Sequence, residues 1–399
     1  MRLLAGFLRR LLTVALLLVL VAAVGFVALE PVRAGFLTMA LVPDLLDAGP
    51  RPLSALAPPP ERTSVAYGAA RSDRLDLYLP AGEGARRPAV LLVLGVNRVA
   101  LDHPVVVRVA TAIARLGVVV AVPESAELKA GRLAPDEVGH LVEAFEAVSA
   151  RREVLPDRIG LVGVSAGGSL ALLAAADARI ADRVAWVNAF GAYGDAATLM
   201  SEIATRRIVV EGTGRSWQPG ELTRGIFREL LVAVVAEAAA RDPRLQDPRL
   251  LAELRARLEP IVAGDGPTPD DFDPALAERL QGDALAVYRL VTAPDRATAD
   301  AALAMLSEPA QALLRDLSPV RAAGRIRAPV WLMHDQGDDA IPISQLGPLR
   351  EAIPPDRLRA ATVFDLFDHV QPRGGVGAEA LPELLRLWGH VREVLEEAL

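Results

Sequence analysis

The sequence predicts an α/β protein in which helices cover both faces of a mostly parallel central sheet. Strand-like and helix-like segments alternate along much of the 399-residue chain, which is the pattern of repeated β–α–β units. The segment 88–94 is a continuous apolar run, typical of a strand buried on both faces. A Gly-x-Ser-x-Gly pentapeptide at 163–167 joins a strand-like segment to a helix-like one. Together these observations favour a doubly covered sheet with a serine at the end of one strand.

The predicted elements follow one another in a regular order. Residues 75–80 alternate apolar and polar side chains, which favours an antiparallel edge strand. After the strand at 88–94, the patterns predict a helix at 104–116, a strand at 118–122, a helix at 135–150, the strand and helix around the pentapeptide at 158–162 and 168–176, strands at 184–188, 328–334 and 361–367, and an amphipathic helix at 381–399.

Ser165, at the centre of the pentapeptide, has the surroundings that a nucleophilic serine needs. A serine on a sharp strand-to-helix turn adopts strained backbone angles, and the flanking Gly163 and Gly167 let the two arms pass closely. The first turn of the following helix leaves backbone N–H groups unpaired beside the serine oxygen, where negative charge develops during acyl transfer. We therefore predict that Ser165 is a nucleophile.

On these residues the chain resembles the α/β-hydrolase superfamily, whose members carry a serine, an acid and a histidine in that order. The resemblance implies the α/β-hydrolase fold and an acid after a later strand. The residues from His334 to Pro342 are similar to the family's His-Gly-x-x-Asp-x-x-Val-Pro pattern and put Asp338 at the acid position. Asp335 stands where the family has glycine, so Asp335 and Asp339 remain alternative acids.

The resemblance also implies an oxyanion hole made of two backbone N–H groups, one after the serine and one in the loop after an earlier strand. In this sequence those groups belong to Ala166 and to Val96, with Asn97 as a candidate for a further contribution. The family commonly has His-Gly in this loop, whereas this chain has Leu94-Gly95. The change spares the chemistry because the donor is a backbone group.

The third member of the triad is expected at His369, in the loop after the last predicted strand. An imidazole titrates near neutral pH, so it can accept the serine proton and later donate it, while a carboxylate holds its tautomer. Of the five histidines, His103 lies near the expected oxyanion loop and remains the alternative base. Asp195, which follows the strand at 184–188, is a further alternative acid because some family members carry the acid there.

Composition excludes several other kinds of site. The chain contains no cysteine, so it has no disulfide, no cysteine-ligated metal and no thiol nucleophile. Its formal net charge of −7 at pH 7 gives no indication of nucleic-acid binding. The serine mechanism needs neither a metal nor an organic cofactor, and we expect none.

An apolar run at 11–29 predicts a membrane anchor within residues 1–30. At a rise of 1.5 Å per residue, the run spans about 28 Å as a helix, close to the hydrocarbon thickness of a bilayer. Arg2, Arg9 and Arg10 precede it, which puts the N-terminus in the cytoplasm and the catalytic domain on the extracytoplasmic side. A cleaved signal peptide, which would give a secreted protein, is the alternative.

The remainder of the chain is predicted to form a tether, a core and a cap. Residues 31–62 include a stretch rich in proline and small residues and predict a semi-extended tether, with a loop packed on the domain as the alternative. Residues 63–194 and 318–399 form the predicted α/β-hydrolase core. The intervening 195–317 contain helix-like segments and no convincing strand, which predicts a helical cap that excludes water and shapes an acyl pocket.

These expectations combine into a membrane-anchored serine hydrolase. The resemblance implies cleavage of carboxylic esters, as in esterases and lipases, through an acyl-enzyme on Ser165, with thioester and amide cleavage left open. We expect a small-molecule ester with an apolar acyl group as substrate and the lipid bilayer as a partner of residues 11–29. The alternatives are acyl transfer on the same triad and a catalytically silent α/β-hydrolase fold that acts as a binding or scaffold protein.

Overall fold

The computed structural model describes residues 29–399 except 69–72, 83, 97–100, 242–246, 265 and 374–377, and its centre is a large β-sheet. The strands are β1 (Glu61–Tyr67), β2 (Asp73–Leu79), β3 (Arg87–Val93), β4 (Val119–Pro123), β5 (Val154–Val164), β6 (Val184–Phe190), β7 (Arg207–Val210), β8 (Thr213–Ser216), β9 (Val330–Asp335), β10 (Leu358–Phe364), β11 (Phe367–Asp368) and β12 (Gln371–Pro372). The helices are α1 (Glu30–Leu46), α2 (Leu53–Leu56), α3 (Pro104–Arg115), α4 (Ala126–Lys129), α5 (Asp136–Ser149), α6 (Ala166–Ala175), α7 (Ala196–Thr205), α8 (Glu221–Arg241), α9 (Pro248–Ala263), α10 (Pro274–Arg279), α11 (Gly282–Val291), α12 (Arg296–Ala304), α13 (Glu308–Asp316), α14 (Leu346–Ala352) and α15 (Leu381–Ala398).

Among the described residues, eight strands form the central sheet in the order β1-β2-β4-β3-β5-β6-β9-β10. β2 is antiparallel to both of its neighbours, and the pairs from β4 to β10 are parallel. The serine of the pentapeptide lies between β5 and α6, in the middle of this sheet. A mostly parallel sheet with a strand–serine–helix turn at its centre is the α/β-hydrolase fold, so this part of the predicted fold class is confirmed.

Two apolar layers cover the sheet, one on each face. On β3, Leu91 belongs to the first layer, whereas Val90 and Leu92 belong to the second, because successive side chains of a strand point to opposite faces. The first layer contains α5, α6 and the helices of the cap in one continuous cluster. The second contains α3 and the end of α15. The predicted helices on both faces are therefore present.

The strand predicted at the edge of the sheet lies one position further in. β2 is antiparallel as expected, but β1 pairs with its outer side from Glu61 opposite Leu79 to Tyr67 opposite Asp73. The sequence prediction contained no strand at 61–67, where only a weak alternation of exposed and half-buried positions exists. An edge strand with one solvent-exposed face has few apolar side chains in its sequence, which explains why it was not predicted.

The predicted tether at 31–62 is wrong for its first part. α1 lies on α15 and α3, and its Ala34 and Leu41 are buried against Leu395. The indole Nε1 of Trp388 donates to the carbonyl of Gly35 at 3.2 Å. Proline and small residues suggested an extended segment, but the apolar face of this helix supplies enough burial to dock it on the domain.

The predicted anchor at 11–29 lies outside the described residues except for Leu29, where the description begins. Within the described part of the chain, none of the helices combines the length and apolar character needed to cross a bilayer. α1 begins at Glu30, directly after the apolar run.

The segment between β6 and β9 is mostly helical, as predicted, but it also contains a hairpin. β7 and β8 pair through a two-residue turn, Glu211-Gly212, in which both residues have positive φ. That is the turn type favoured by hairpins, and the β-branched run before it was the missed signal. Residues 274–291 form two helices, α10 and α11, with a short break between them. The boundaries of the cap at 195 and 317 remain a prediction.

Candidate active site

The backbone at Ser165 is strained in the way the pentapeptide predicts. Ser165 has φ 57° and ψ −137°, outside the regions that a non-glycine residue prefers. A Cβ at Gly163 would lie 2.4 Å from the carbonyl oxygen of Gly167, and a Cβ at Gly167 would lie 2.4 Å from that of Val93. Only glycine fits these two positions, so the sequence builds the sharp turn and holds the serine at its tip.

Asp338 and His369 form the acid–histidine pair that was predicted. Asp338 is buried after β9, and its Oδ1 accepts hydrogen bonds from the backbone N–H groups of Ala340 and Ile341, both at 2.8 Å. Its Oδ2 lies 2.7 Å from Nδ1 of His369. The carboxylate only accepts, so Nδ1 carries the proton and Nε2 is left as the basic nitrogen.

His369 lies in the tight turn between β11 and β12, with φ 57°. Its Nε2 is buried and has no hydrogen-bond partner among the described residues, so it is not bonded to Ser165 in this structure. Both residues nevertheless lie against the end of β6: Ser165 N donates to the carbonyl of Phe190 at 2.7 Å, and a Cβ at Gly191 would lie 3.2 Å from His369 Cε1. Catalytic hydrogen bonds are often long without substrate, and a buried, unpaired imidazole nitrogen is suited to accept a proton.

The alternative acids have other partners. Asp335 is buried, and its Oδ2 accepts from the N–H groups of Leu366 and Phe367 at 3.0 and 2.8 Å. It therefore holds the segment that leads to His369 instead of touching the imidazole. Asp195 caps α7 by accepting from the N–H of Thr198 at 2.8 Å. Asp339 is exposed.

The other histidines do not take the place of His369. His103 is exposed and caps α3, where its Nδ1 accepts from the N–H of Val105 at 3.3 Å. His334 is buried, and its Nε2 donates to the carbonyl of Ile341 at 2.8 Å. Burial lowers the pKa of His334, so this ring stays neutral and supports the loop that carries Asp338.

The predicted oxyanion groups flank the serine. Val96 and Ala166 line the same cavity as Ser165. The loop after β3 comes very close to the strand–serine–helix turn at residues 163–167, here called the elbow, since a Cβ at Gly95 would lie 2.7 Å from Cβ of Ser165. Asn97 lies outside the described residues. The positions of Val96 and Ala166 suit the predicted role, which remains a prediction because it concerns a bound transition state.

The cavity beside Ser165 has a volume of about 300 Å³ and a largely apolar lining. The cap supplies most of its wall through one face each of three helices, namely Leu199, Met200 and Ile203 of α7, Leu222, Ile226, Leu230 and Ala233 of α8, and Leu313 and Leu314 of α13. The α8 side chains recur at helical spacing, which is the sequence pattern of a helix with one buried apolar face.

The polar side chains of this cavity are few. Glu127 is half-buried, whereas Arg132 and Glu229 are exposed, so these charged groups lie at its edge, where Arg132 donates to Glu127. The hydroxyl of Thr223 donates to the carbonyl of Ala340. The hydroxyl of Tyr193 is buried, and burial raises its pKa, so it stays protonated. No group of three or more metal-ligating His, Asp or Glu side chains occurs among the residues that the structure describes.

No protein-family model and no curated protein matches this chain. Among solved structures, it is similar to a 2,6-dihydroxy-pseudo-oxynicotine hydrolase, at 14% identity and a TM-score of 0.44 over 91% of this chain and 82% of the other. It is also similar to dipeptidyl peptidase 4 of Porphyromonas gingivalis (13%, 0.47, over 85% and 35%) and to puromycin hydrolase (14%, 0.45, over 84% and 38%). The chain thus spans little more than a third of the last two. Likeness at this level carries no argument about the reaction, so the chemistry follows from this chain's own side chains.

Proposed function

We propose that this chain is a serine hydrolase that cleaves carboxylic esters with an apolar acyl group, in the manner of an esterase or lipase. One observation carries the proposal. The 2.7 Å contact between Asp338 and His369 orients a base beside an elbow serine that opens into an apolar cavity. The three residues follow different strands of the sheet: Ser165 follows β5, Asp338 follows β9, and His369 follows β10 and β11.

In the proposed reaction, Ser165 Oγ attacks the acyl carbonyl while His369 Nε2 accepts its proton. Asp338 keeps the imidazole in the required tautomer and stabilises the imidazolium. The N–H groups of Val96 and Ala166 stabilise the oxyanion. His369 then protonates the leaving alcohol, and a water activated by the same base releases the acid and regenerates Ser165.

The cavity lining favours an ester over a peptide. A peptide would bring several amide groups into the site, and each costs about 1–3 kcal/mol when it is buried without a partner. The wall formed by the cap is apolar, and the charged side chains Glu127, Arg132 and Glu229 lie at the edge. An acyl chain needs no partner in such a wall, and the ester carbonyl needs only the oxyanion groups.

Hydrolysis of p-nitrophenyl esters by the full chain tests the proposal. We expect turnover that Ser165→Ala and His369→Ala each abolish, with His103→Ala as the matched histidine control that keeps it. Folded protein without turnover on any ester would contradict the proposal, and a dead His103→Ala variant would contradict the assignment of the base. Product that requires an added alcohol or amine would indicate acyl transfer instead.

We also propose that residues 11–29 anchor the chain in a membrane with the catalytic domain on the extracytoplasmic side. The support is the apolar run and the arginines before it. Protease added outside intact cells is expected to remove the domain from the membrane fraction. Domain released into the medium without protease would favour signal cleavage, and full protection from protease would contradict the proposed orientation.

A further inference from the structure

Three consecutive carbonyl groups of the loop that carries Asp338 accept hydrogen bonds from one short stretch of the cap. The indole Nε1 of Trp217 donates to the carbonyl of Asp338 at 2.8 Å. The N–H of Gly220 donates to the carbonyl of Asp339 at 2.7 Å. The hydroxyl of Thr223 donates to the carbonyl of Ala340 at 2.9 Å. We name residues 217–223 the cap tie.

The cap tie is itself fixed to the rest of the cap. The N–H of Trp217 donates to the carbonyl of Arg206 at 2.9 Å, and both residues are buried. The guanidinium of Arg206 donates to the carbonyls of Ile203 at 2.6 Å and Val262 at 3.0 Å, which belong to α7 and α9. A Cβ at Gly220 would lie 2.6 Å from the Asp339 carboxylate, so the tie and the loop are in direct contact.

The same loop holds the carboxylate of Asp338. Its Oδ1 accepts from the N–H groups of Ala340 and Ile341, so the backbone of 338–341 determines where the carboxylate lies. The carbonyls of 338–340 are held by the cap, and the carboxylate is bonded to His369. One peptide segment, 338–341, therefore links the position of the cap to the position of the base.

We propose that Trp217 and Thr223 are positioning residues that align Asp338 with His369 when the cap lies over the cavity. The inference rests on the proposed serine hydrolase function and deepens it. Thr223 lies in the first turn of α8, and Leu222 and Ile226 beside it line the acyl cavity. An acyl group that packs on this helix thus also secures the groups that hold the acid.

The test uses substitutions that remove one donor and little else. Trp217→Phe keeps an aromatic ring without the Nε1–H, and Thr223→Val keeps the shape without the hydroxyl. The loss of one hydrogen bond is worth about 1 kcal/mol, so we expect kcat per active site to fall by roughly fivefold in either variant. KM should change by less than twofold, since Trp217 lies outside the cavity lining and valine at position 223 keeps the shape of the lining. Active sites are counted with a fluorophosphonate, so a partly unfolded preparation does not mimic the effect.

Two controls match these substitutions. Thr292→Val removes a buried cap hydroxyl directly after α11, which donates to the carbonyl of Tyr288 in that helix at 2.8 Å. Trp331→Phe removes an indole N–H that faces Glu393. Both controls should keep the kcat of the parent chain. Thr223→Ser retains the hydroxyl donor, so it should recover the kcat that Thr223→Val loses.

Unchanged kcat per active site in both Trp217→Phe and Thr223→Val would overturn the inference. An equal loss in Thr292→Val, or no recovery in Thr223→Ser, would also overturn it, because the effect would then be general softening of the cap. These outcomes are distinct from failure of the proposed function. In that case the parent chain itself would neither hydrolyse esters nor react with the fluorophosphonate.

Discussion

At the scale of single residues, two buried aspartates, one at the end of β9 and one in the loop after it, have different tasks. Asp338 contacts the imidazole of His369, whereas Asp335 holds backbone N–H groups and the guanidinium of Arg373, at 3.1 Å. Asp338→Asn should lower kcat by about 10³- to 10⁴-fold in a folded protein, because the amide no longer selects the required tautomer. Asp335→Asn should instead lower the free energy of unfolding by about 1–3 kcal/mol, because it weakens charge-assisted bonds.

Urea unfolding and ester turnover of the two variants measure this division of roles. If Asp335→Asn were the inactive variant with unchanged stability, the acid would be assigned to the wrong residue.

A second prediction at this scale concerns His390 of α15, the helix that packs on the face of the sheet opposite to the cap helices. Its Nε2 lies 2.9 Å from Asn188 Oδ1 and its Nδ1 lies 2.7 Å from Thr362 Oγ1, so the neutral ring satisfies both partners. Burial lowers the pKa of His390 to about 4. The unfolded chain binds this proton near pH 6.5. The stabilising contribution is therefore complete above about pH 6.5 and decreases as the pH falls to 4, by up to about 3 kcal/mol.

Unfolding of the parent chain and of His390→Gln between pH 4 and 8 measures this contribution. We expect a shallower decline in the variant. Titration of the ring resonances by NMR gives the same quantity without a substitution, and a midpoint near pH 6.5 would contradict the prediction.

At the scale of elements, the cap helices determine which acyl groups fit. Each buried CH₂ contributes about 0.8 kcal/mol, so kcat/KM should rise by up to about fourfold per added carbon until the cavity is full. Leu230→Trp on α8 narrows the cavity and should lower kcat/KM for long esters at least tenfold relative to short ones. Val232→Trp on the same helix lies outside the lining and is the matched control.

A panel of p-nitrophenyl esters of rising acyl length measures this preference. The same length profile in the parent chain and Leu230→Trp would show that the acyl group binds elsewhere.

The elements also show what the sequence could and could not predict. The elbow was predictable because Gly163, Ser165 and Gly167 are adjacent in the chain and their geometry is local. α1 and the β7–β8 hairpin were missed for different reasons. The burial of α1 depends on α15, more than three hundred residues away, and the hairpin is a short, partly exposed pair within helical surroundings.

At the scale of the whole molecule, the cap and the sheet share one apolar core. Tyr288 of the cap and Leu161 of β5 belong to the same buried cluster. The sequence predicted a cap in this interval from its lack of strands, and it placed Ser165, Asp338 and His369 in the family order. It could not predict the cavity lining or the cap tie, because these contacts join segments that no local pattern relates.

The central claim is that Ser165 is a nucleophile activated by His369 and Asp338. Its most direct test is the reaction of the folded full chain with a fluorophosphonate, followed by mass mapping of the adduct. We predict a single adduct on the peptide that contains Ser165, absent from Ser165→Ala and slowed in His369→Ala. A folded chain that forms no adduct, or that carries it on another serine, would contradict the claim.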